Sequence, residues 1–257
     1  MSDFRRAVLA ALGTKSFGRT LECYREVSST QDLALRLAQN NALEGTVVVS
    51  NSQTQGRGRF GRQWLSLPGG LYFSIILRPE FKRVADIGSI TMVAGLSLLE
   101  AIKEATSLQC RLKWPNDILL YGKKVCGILA NIDFFSGNIR YIVIGVGLNI
   151  SNRIDDLSEV AVTLESQTQQ PVSPVNLLTT ALRRLEEDYY IFSESGFIAF
   201  KERWLANAAF IEEPITVKCF DQSLRGIIDG VSDLGQLRLR LDDGQVKLIS
   251  SPDIVIA

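Results

Sequence analysis

The sequence predicts an α+β protein with a mixed β-sheet in a larger domain, residues 1–211, and a small all-β domain at 212–257. Three observations predict this fold. A long, mostly apolar helical pattern at 86–105 lies between segments with strand patterns. Four strand-like segments follow one another closely between 110 and 150, with turn residues separating them. From about residue 213, short segments alternate apolar and polar residues, as in a small SH3-like β-barrel.

The N-terminal part is predicted to contain two helices and two strands. A short helix at 3–12 ends at Gly13, and a second helix at 31–39 follows Ser28, Ser29 and Thr30, residue types that cap helix N-termini. Two strands, at 46–49 and 71–77, enter and leave a loop rich in glycine and arginine.

The remaining elements are predicted from apolar periodicity and from turn residues. The Asp243-Gly244 pair is a strong signal for a two-residue hairpin turn. Strands are predicted at 110–114, 118–121, 125–132 and 139–150, helices at 175–192 and 197–206, and strands at 215–220, 224–232, 236–241 and 246–250.

The composition excludes several classes of function. The 257 residues are 46% hydrophobic, and 28 basic residues balance 28 acidic ones, which argues against a non-specific nucleic-acid binder. The sequence has no histidine, and its four cysteines show no CxxC spacing, so histidine-based catalysis and zinc sites are not expected. The N-terminal apolar segment is too short for a signal peptide, and no apolar run approaches a membrane span. A cytoplasmic location is therefore expected, with no membrane partner.

An arginine-rich loop predicts an anion-binding site. Residues 45–79 contain no acidic side chain, and residues 56–64 read Gly-Arg-Gly-Arg-Phe-Gly-Arg-Gln-Trp. The glycines spell the dinucleotide pattern G-x-G-x-x-G, but Pro68 and two glycines prevent the helix that this fold requires, and no P-loop triplet occurs. Guanidinium groups without a competing carboxylate suit phosphate or carboxylate ligands. The alternative is a solvated hairpin tip.

A second group of polar residues follows 50 positions later. Residues 113–117 read Lys-Trp-Pro-Asn-Asp, and Lys124 opens the next strand, so that two lysines and one carboxylate bracket a tight turn. Such a turn can bind phosphate groups, although lysines at strand ends are often simply solvated.

Together these segments closely resemble biotin protein ligases. The resemblance rests on residues 56–64, on 113–117, on Lys-x-x-Gly-Ile-Leu at 124–129 and on Gly-x-Gly-x-Asn at 145–149, and it extends from about Ser28 to the C-terminus. It implies a class II synthetase-like catalytic domain followed by an SH3-like domain. It also implies the monofunctional type, because the single helix at 3–12 is too little for a DNA-binding domain, and no nucleic-acid partner is expected.

The resemblance also implies a reaction. Such enzymes use MgATP to convert biotin to biotinyl-5'-AMP and then transfer biotin to a lysine of the biotin carboxyl carrier protein of acetyl-CoA carboxylase or a related carboxylase. ATP, Mg²⁺ and biotin are therefore the expected ligands, without a separate metal site in the protein. A homodimer formed by edge-to-edge sheet pairing is a further expectation.

By similarity, site residues are assigned to biotin, to ATP and to catalysis. The biotin residues are Ser29, Thr30, Gln31 (where asparagine is usual in the family), Gln53, Arg57, Gly58, Arg59 and Lys124. The ATP residues are Arg57, Arg59, Arg62, Trp64, Lys113, Asn116 and Asn149, with Trp64 and Asn149 expected at the adenine. The catalytic residues are Lys124, Asp117, Arg59 and Lys113. For Asp117 two roles stay open, namely receiving the proton of the acceptor lysine or ordering MgATP, and Trp64 is alternatively a core indole.

Two other functions are open to such a chain. A lipoate or octanoate ligase would share the fold, but it gives no reason for the arginine loop or for the turn at 113–117. A non-catalytic biotin or nucleotide sensor would be indicated by loss of Lys124 or Asp117, and both are present.

Overall fold

The computed structural model describes residues 1–79, 84–219, 222–250 and 254–256. Its helices are α1 (Ser2–Ala11), α2 (Thr30–Gln39), α3 (Ile90–Thr106), α4 (Glu165–Thr168), α5 (Pro174–Ser195) and α6 (Lys201–Asn207). Its strands are β1 (Leu21–Tyr24), β2 (Val47–Ser50), β3 (Leu71–Leu77), β4 (Arg111–Lys113), β5 (Asp117–Leu120), β6 (Lys123–Phe135), β7 (Asn138–Leu148), β8 (Pro214–Cys219), β9 (Gln222–Val231), β10 (Leu237–Arg240), β11 (Val246–Ile249) and β12 (Ile254–Ile256).

The larger domain is built on a mixed sheet of seven strands in the order β1-β2-β3-β7-β6-β5-β4. Only β1 and β2 pair in parallel, and every other neighbouring pair is antiparallel. Helices α3 and α5 belong to the main core against one face, while α2 covers part of the other. The α+β class with a mixed sheet is therefore confirmed.

The alternation of side chains along β7 explains where the site lies. Ile142 and Ile144 belong to the main core, whereas Tyr141 and Val143 pack on the opposite face together with Ala34 and Ala38 of α2. Further along that second face the sequence places glycines instead of apolar side chains. Helix α2 thus covers half of this face, and the glycine half is left as the floor of a cavity.

The structure differs from the sequence prediction at several elements. Strands β1 and β12 and the short helix α4 were not predicted, because each has only three or four residues, too few to establish a periodic pattern. The helix predicted at 86–105 begins instead with a 3₁₀ segment, Val84–Ser89, before α3. The whole stretch Val84–Thr106 is long and apolar enough to cross a membrane, with a mean hydropathy of 1.5, but 72% of that window is buried inside the protein.

The C-terminal domain is an antiparallel five-stranded sheet in the order β11-β10-β9-β8-β12, in agreement with the predicted all-β domain. Residue 220, the end of one predicted strand, lies outside the described residues.

The turn between β9 and β10 inserts into the larger domain. Gly235 has a φ of 76°, and a Cβ atom there would lie 2.7 Å from the Cβ of Ser89 and 2.9 Å from the sulfur of Met92. The Gly235 carbonyl accepts a hydrogen bond of 2.9 Å from the indole Nε1 of Trp114, which is buried. The small domain therefore contacts the turn at 113–117 directly.

Candidate active site

A cavity of about 220 Å³, here called the central cavity, lies on the glycine-rich half of the sheet face. It is bounded by the N-terminus of α2, the arginine loop, the turn at 113–117, and β6 and β7. All but one of the residues assigned from the sequence line it: Ser29, Thr30, Gln31, Gln53, Arg57, Gly58, Arg59, Arg62, Trp64, Lys113, Asn116, Asp117 and Lys124. Asn149 is the exception.

One end of the central cavity is lined by uncharged polar groups. The Ser29 hydroxyl caps α2 by accepting a bond of 3.3 Å from the Asp32 backbone N–H. Gln53 Oε1 accepts bonds from the backbone N–H of Thr30 at 2.8 Å and from its hydroxyl at 3.1 Å. Gln53 Nε2 donates to the Ser66 hydroxyl at 2.7 Å. This end presents hydrogen-bonding groups to a neutral polar ligand.

Gln31 is held rigidly beneath these groups. Its Nε2 donates to the Val143 carbonyl and to Asn131 Oδ1, both at 2.9 Å, and its Oε1 accepts from the Ser74 hydroxyl at 2.9 Å. A Cβ at Gly145 would lie 2.3 Å from Gln31 Oε1, so only glycine leaves room for this amide. Gln31 therefore organises the cavity floor through its neighbours.

The arginine loop is an irregular hairpin that covers the cavity. Gln53 N donates to Ser66 O at 3.0 Å, and Gly58 N donates to Arg62 O at 2.7 Å at the tip. The Gly58 amide, expected at the ligand, is thus already engaged within the loop. Phe60 has a φ of 58°, in the left-handed region that aromatic residues rarely adopt, and its side chain is exposed.

Arg57 does not lie free of carboxylates, which corrects the expectation drawn from the acid-free stretch. Its Nε contacts both carboxylate oxygens of Asp32, at 2.9 and 3.0 Å. Asp32 lies 25 residues earlier, in the first turn of α2, where the helix N-terminus stabilises a negative charge. This pair joins the loop to the helix at the rim of the cavity.

Arg59 is directed to the turn at 113–117. Its guanidinium donates to Asn116 Oδ1 at 3.0 Å and lies 4.8 Å from the centre of the Phe60 ring. Asn116 is fixed to β6 by two bonds, from its Nδ2 to Ile128 O at 2.8 Å and from Ile128 N to its own carbonyl at 2.9 Å. Arg59 is thereby held over the charged end of the cavity.

Two lysines and one carboxylate make up this charged end. Lys124 Nζ lies 2.7 Å from Asp117 Oδ1 and 5.1 Å from the centre of the Trp64 ring. Lys113 is paired with Asp117 across β4 and β5. Burial lowers the pKa of Lys113 below its ordinary value; the Asp117 carboxylate opposes this, and the charges of Lys124 and Arg62 add to it. A bound phosphate would relieve this concentration of positive charge.

Trp64 lies flat against the sheet because two glycines make room for it. A Cβ at Gly147 would lie 2.3 Å from the indole Nε1, and one at Gly127 would lie 2.8 Å from the far edge of the ring. The indole Nε1 is buried without a hydrogen-bond partner in the described part of the protein. Trp64 is only half-buried, so the alternative of a core indole does not describe it.

A second cavity of about 470 Å³, here called the side cavity, adjoins the central one. The two share the residues Arg62, Gln63, Trp64, Lys113, Asp117 and Lys124. Asn149 lines the side cavity; its Oδ1 accepts a bond of 3.1 Å from Asn152 Nδ2. Apolar residues from the segment 154–161, together with Phe210, are among its other lining residues.

The sequence prediction missed Asp32, Ser66, Ser74 and Phe210. Ser74 had a visible signal, because it is the one serine within the apolar strand Leu71–Leu77. Asp32 also had one, since it is the acidic residue in the first turn of α2. Ser66 and Phe210 lie in irregular segments, where no periodicity marks an inward-facing side chain.

Comparison with known proteins agrees with this geometry. Residues 23–149 match the Biotin/lipoate A/B protein ligase family, and residues 210–256 match the Biotin protein ligase C terminal domain. The chain is 34% identical over 248 residues to the bifunctional ligase/repressor BirA of Bacillus subtilis, covering 95% of this chain and 76% of that protein. It is 32% identical to the biotin–[acetyl-CoA-carboxylase] ligase of Paracoccus denitrificans, over 82% of this chain and 90% of that protein.

Solved structures give the same result. The biotin protein ligase of Aquifex aeolicus, in complex with biotin and ATP, superimposes with a TM-score of 0.81 at 32% sequence identity. The match covers 93% of this chain and 99% of that one. The neutral polar end of the cavity, its cationic end and the adjoining side cavity thus occur on a shared fold, and this chain belongs to the biotin protein ligase family.

Proposed function

We propose that this protein activates biotin with MgATP to biotinyl-5'-AMP and transfers biotin to a lysine of a biotin carboxyl carrier protein. The observation that carries the proposal is the polarity of the central cavity. Uncharged hydrogen-bonding groups line one end, and Arg59, Lys113 and Lys124 line the other. Biotin has the matching polarity, because its ureido ring is neutral and its carboxylate is anionic.

In the first step, a biotin carboxylate oxygen forms a bond to the α-phosphorus of ATP, and the bond from that phosphorus to the bridging oxygen breaks to release pyrophosphate. Arg59 and Lys124 are proposed to hold the carboxylate and the α-phosphate, where negative charge increases in the transition state. Lys113 and Arg62 are proposed to bind the phosphates. Mg²⁺ would enter as part of the MgATP substrate and would offset part of the phosphate charge.

The nucleotide base is proposed to occupy the side cavity. Trp64 offers an aromatic face there, Asn149 offers a polar group, and Phe210 contributes an apolar wall. The α-phosphate would then lie between the two cavities, next to Lys113 and Lys124, which line both.

In the second step, the amine of the carrier lysine attacks the acyl carbon, AMP leaves, and the amine loses a proton. We propose that Asp117 receives that proton once Lys124 has turned to the phosphate. A free lysine has a pKa near 10.4, so only about one in a thousand is uncharged at neutral pH without such help.

Labelled biotin, MgATP and a carrier domain, incubated with the protein, test the proposal. Label is expected on the carrier lysine only when ATP is present, and a carrier with arginine at that position is the control. Transfer of lipoate or octanoate instead of biotin would contradict the proposal in favour of the related acyl ligases. Binding of biotin and ATP without any transfer would indicate a sensor.

Dimerisation and location are further proposals. Both edges of the large sheet are short: β1 has four residues, and β4 has three and is bonded to the segment after α6 through Ala209 N and Leu112 O at 2.8 Å. A homodimer by edge-to-edge pairing would need to use β1, and sedimentation analysis with and without biotin tests it. Free thiols at Cys23, Cys110 and Cys126 support the proposed cytoplasmic location, which fractionation tests.

A further inference from the structure

Lys113 lies where the two cavities meet, and it lines both of them. The carboxylate opposite it across the strand pair, that of Asp117, is engaged by Lys124 at 2.7 Å. Within the described residues, the Lys113 ammonium makes no ion pair and no hydrogen bond of its own. Its Nζ instead lies 6.0 Å from the centre of the Phe210 ring, a distance at which an aromatic face still attracts a cation. The contact that this ammonium makes is therefore with an aromatic ring.

Phe210 holds an aromatic side chain in a backbone conformation that favours glycine. Its φ is 64°, in the left-handed region, where a Cβ atom is disfavoured. The side chain is partly exposed, lines the side cavity and packs against the edge of the main core. A strained residue at the wall of a site indicates that its side chain has a role there. The contact of the ring with Lys113 supplies such a role.

The chain on either side of Phe210 is bonded to a different domain. Before it, Ala209 N donates to Leu112 O at 2.8 Å, in strand β4 of the large sheet. After it, Glu212 N donates to Ile228 O at 2.9 Å, in β9 of the C-terminal sheet. The ring is thus fixed at the point where the chain passes from one domain to the other.

We propose that Phe210 is a positioning residue for Lys113, and that its ring holds the ammonium between the two cavities, where it meets the phosphates of ATP. This inference rests on the proposed function, in which Lys113 binds those phosphates. An aromatic face attracts the ammonium without accepting a full hydrogen bond, so the three N–H donors stay available. A carboxylate in the same place would have to be displaced before phosphate could bind.

The ring also favours the charged form of the lysine. Burial lowers the pKa of Lys113, while the Asp117 carboxylate opposes this and two neighbouring cations add to it. The face of Phe210 acts in the same direction as the carboxylate, because an aromatic quadrupole stabilises an ammonium and not a neutral amine. The start of the C-terminal domain thereby contributes to phosphate binding without donating any bond to the nucleotide.

A double-mutant cycle on biotin-dependent exchange of pyrophosphate into ATP tests the inference. Phe210→Leu keeps an apolar side chain and removes the aromatic face, so kcat/KM for ATP should fall about fivefold. In a Lys113→Met background, the same change should alter exchange by less than about twofold, because no cation is left for the ring to hold. Phe210→Tyr, which keeps the ring, should stay within about twofold of wild type. MgATP affinity measured by calorimetry gives the same cycle without turnover.

Tyr121→Leu is the matched control. Tyr121 is also an aromatic residue in the left-handed region, with a φ of 51°, but it is 71% exposed and lines neither cavity. Its replacement should leave exchange unchanged. Biotin affinity is the check on folding, and it should be unchanged in Phe210→Leu because Phe210 does not line the central cavity.

The inference is overturned if Phe210→Leu lowers exchange by the same factor in both backgrounds, since the ring would then act by packing or on the nucleotide base. It is also overturned if Phe210→Leu stays within about twofold of wild type, or if this variant loses biotin binding. Wild-type protein without biotin-dependent exchange would overturn the proposed function, whereas additive effects in an active enzyme overturn this inference alone.

Discussion

Lys124 and Asp117 form an ion pair in the candidate site, with Nζ 2.7 Å from Oδ1. Both side chains are partly exposed, and the ammonium also lies near the Trp64 ring. A phosphate entering the cavity offers the ammonium a second anionic partner. In the mechanism proposed above, the carboxylate becomes available to the amine of a carrier lysine only after the nucleotide has drawn Lys124 away.

Replacement of Lys124 by alanine is expected to slow adenylate formation by a factor of about 100 to 1,000, because it removes a donor from the place where transition-state charge increases. Pyrophosphate exchange measures this step. Lys123→Ala is the control, since that neighbouring lysine is exposed and donates to Ser158 O. Equal exchange rates in the two variants would contradict the role of Lys124.

Replacement of Asp117 by asparagine is expected to slow transfer to the carrier more than adenylate formation. Raising the pH from about 7.5 to about 9 should partly restore transfer, because more of the acceptor lysine is then uncharged. Adding carrier to pre-formed adenylate separates the two steps. If the variant fails chiefly in adenylate formation, without rescue at high pH, Asp117 serves MgATP instead.

Replacement of Asp32 by asparagine tests whether its pair with Arg57 holds the loop over the adenylate. Exposed ion pairs contribute about 0.2 to 1 kcal/mol, so biotinyl-5'-AMP should dissociate up to about fivefold faster. The same increase should appear in wild-type protein at high salt, which screens the pair. Asp133→Asn, which breaks the exposed pair with Arg140, is the control and should leave dissociation unchanged. An unchanged rate in Asp32→Asn would show that the loop is held by its own backbone bonds.

Glu186 is expected to make stability sensitive to acid. It accepts bonds from the backbone N–H groups of Lys15, Ser16 and Phe17 and from the Ser16 hydroxyl. Burial alone would raise its pKa, but these donors outweigh burial and hold the pKa below the ordinary value of 4.5. A depressed pKa gives stability that is fully present above pH 4.5 and lost as the pH falls through the folded value.

Urea unfolding of wild-type protein and of Glu186→Gln, measured across this range, checks the expectation. The variant should be less stable by about 1 to 3 kcal/mol at neutral pH, and the difference should shrink in acid. A difference that does not depend on pH would show that shape, and not charge, accounts for the loss.

The fold class could be predicted from the sequence because it depends on local patterns, whereas the site residues were assigned through the resemblance to a known family, and most of them line the central cavity. The alternation in β7 and the periodicity of α2 fix which residues face each side of the sheet. Motif residues at strand ends then converge because the strands are neighbours. The short strand β1 could not be predicted, since four residues carry too little periodicity and its pairing with β2 is a contact between distant segments.

The pairing of Arg57 with Asp32 and the position of Ser74 mark the limit of sequence reasoning. A stretch without acidic residues says nothing about carboxylates that the fold brings from elsewhere. Likewise, one serine in an apolar strand does not reveal that Gln31 and Thr30 lie beside it. Both contacts join α2 to segments 25 and 43 residues away, so only the three-dimensional arrangement shows them.

The contact between Gly235 and Trp114 has a consequence for exchanging domains between relatives. A foreign C-terminal domain must present a glycine in a left-handed turn there, with its carbonyl aimed at the indole, or the turn clashes with Ser89 and Met92. In a chimera that carries any larger residue at that position, both domains should fold but activity should be lost. The reason is that Asn116 and Asp117, which follow Trp114 in the turn, hold Arg59 and Lys124. The C-terminal domain must therefore match the larger domain at this contact, and it cannot be exchanged freely between relatives.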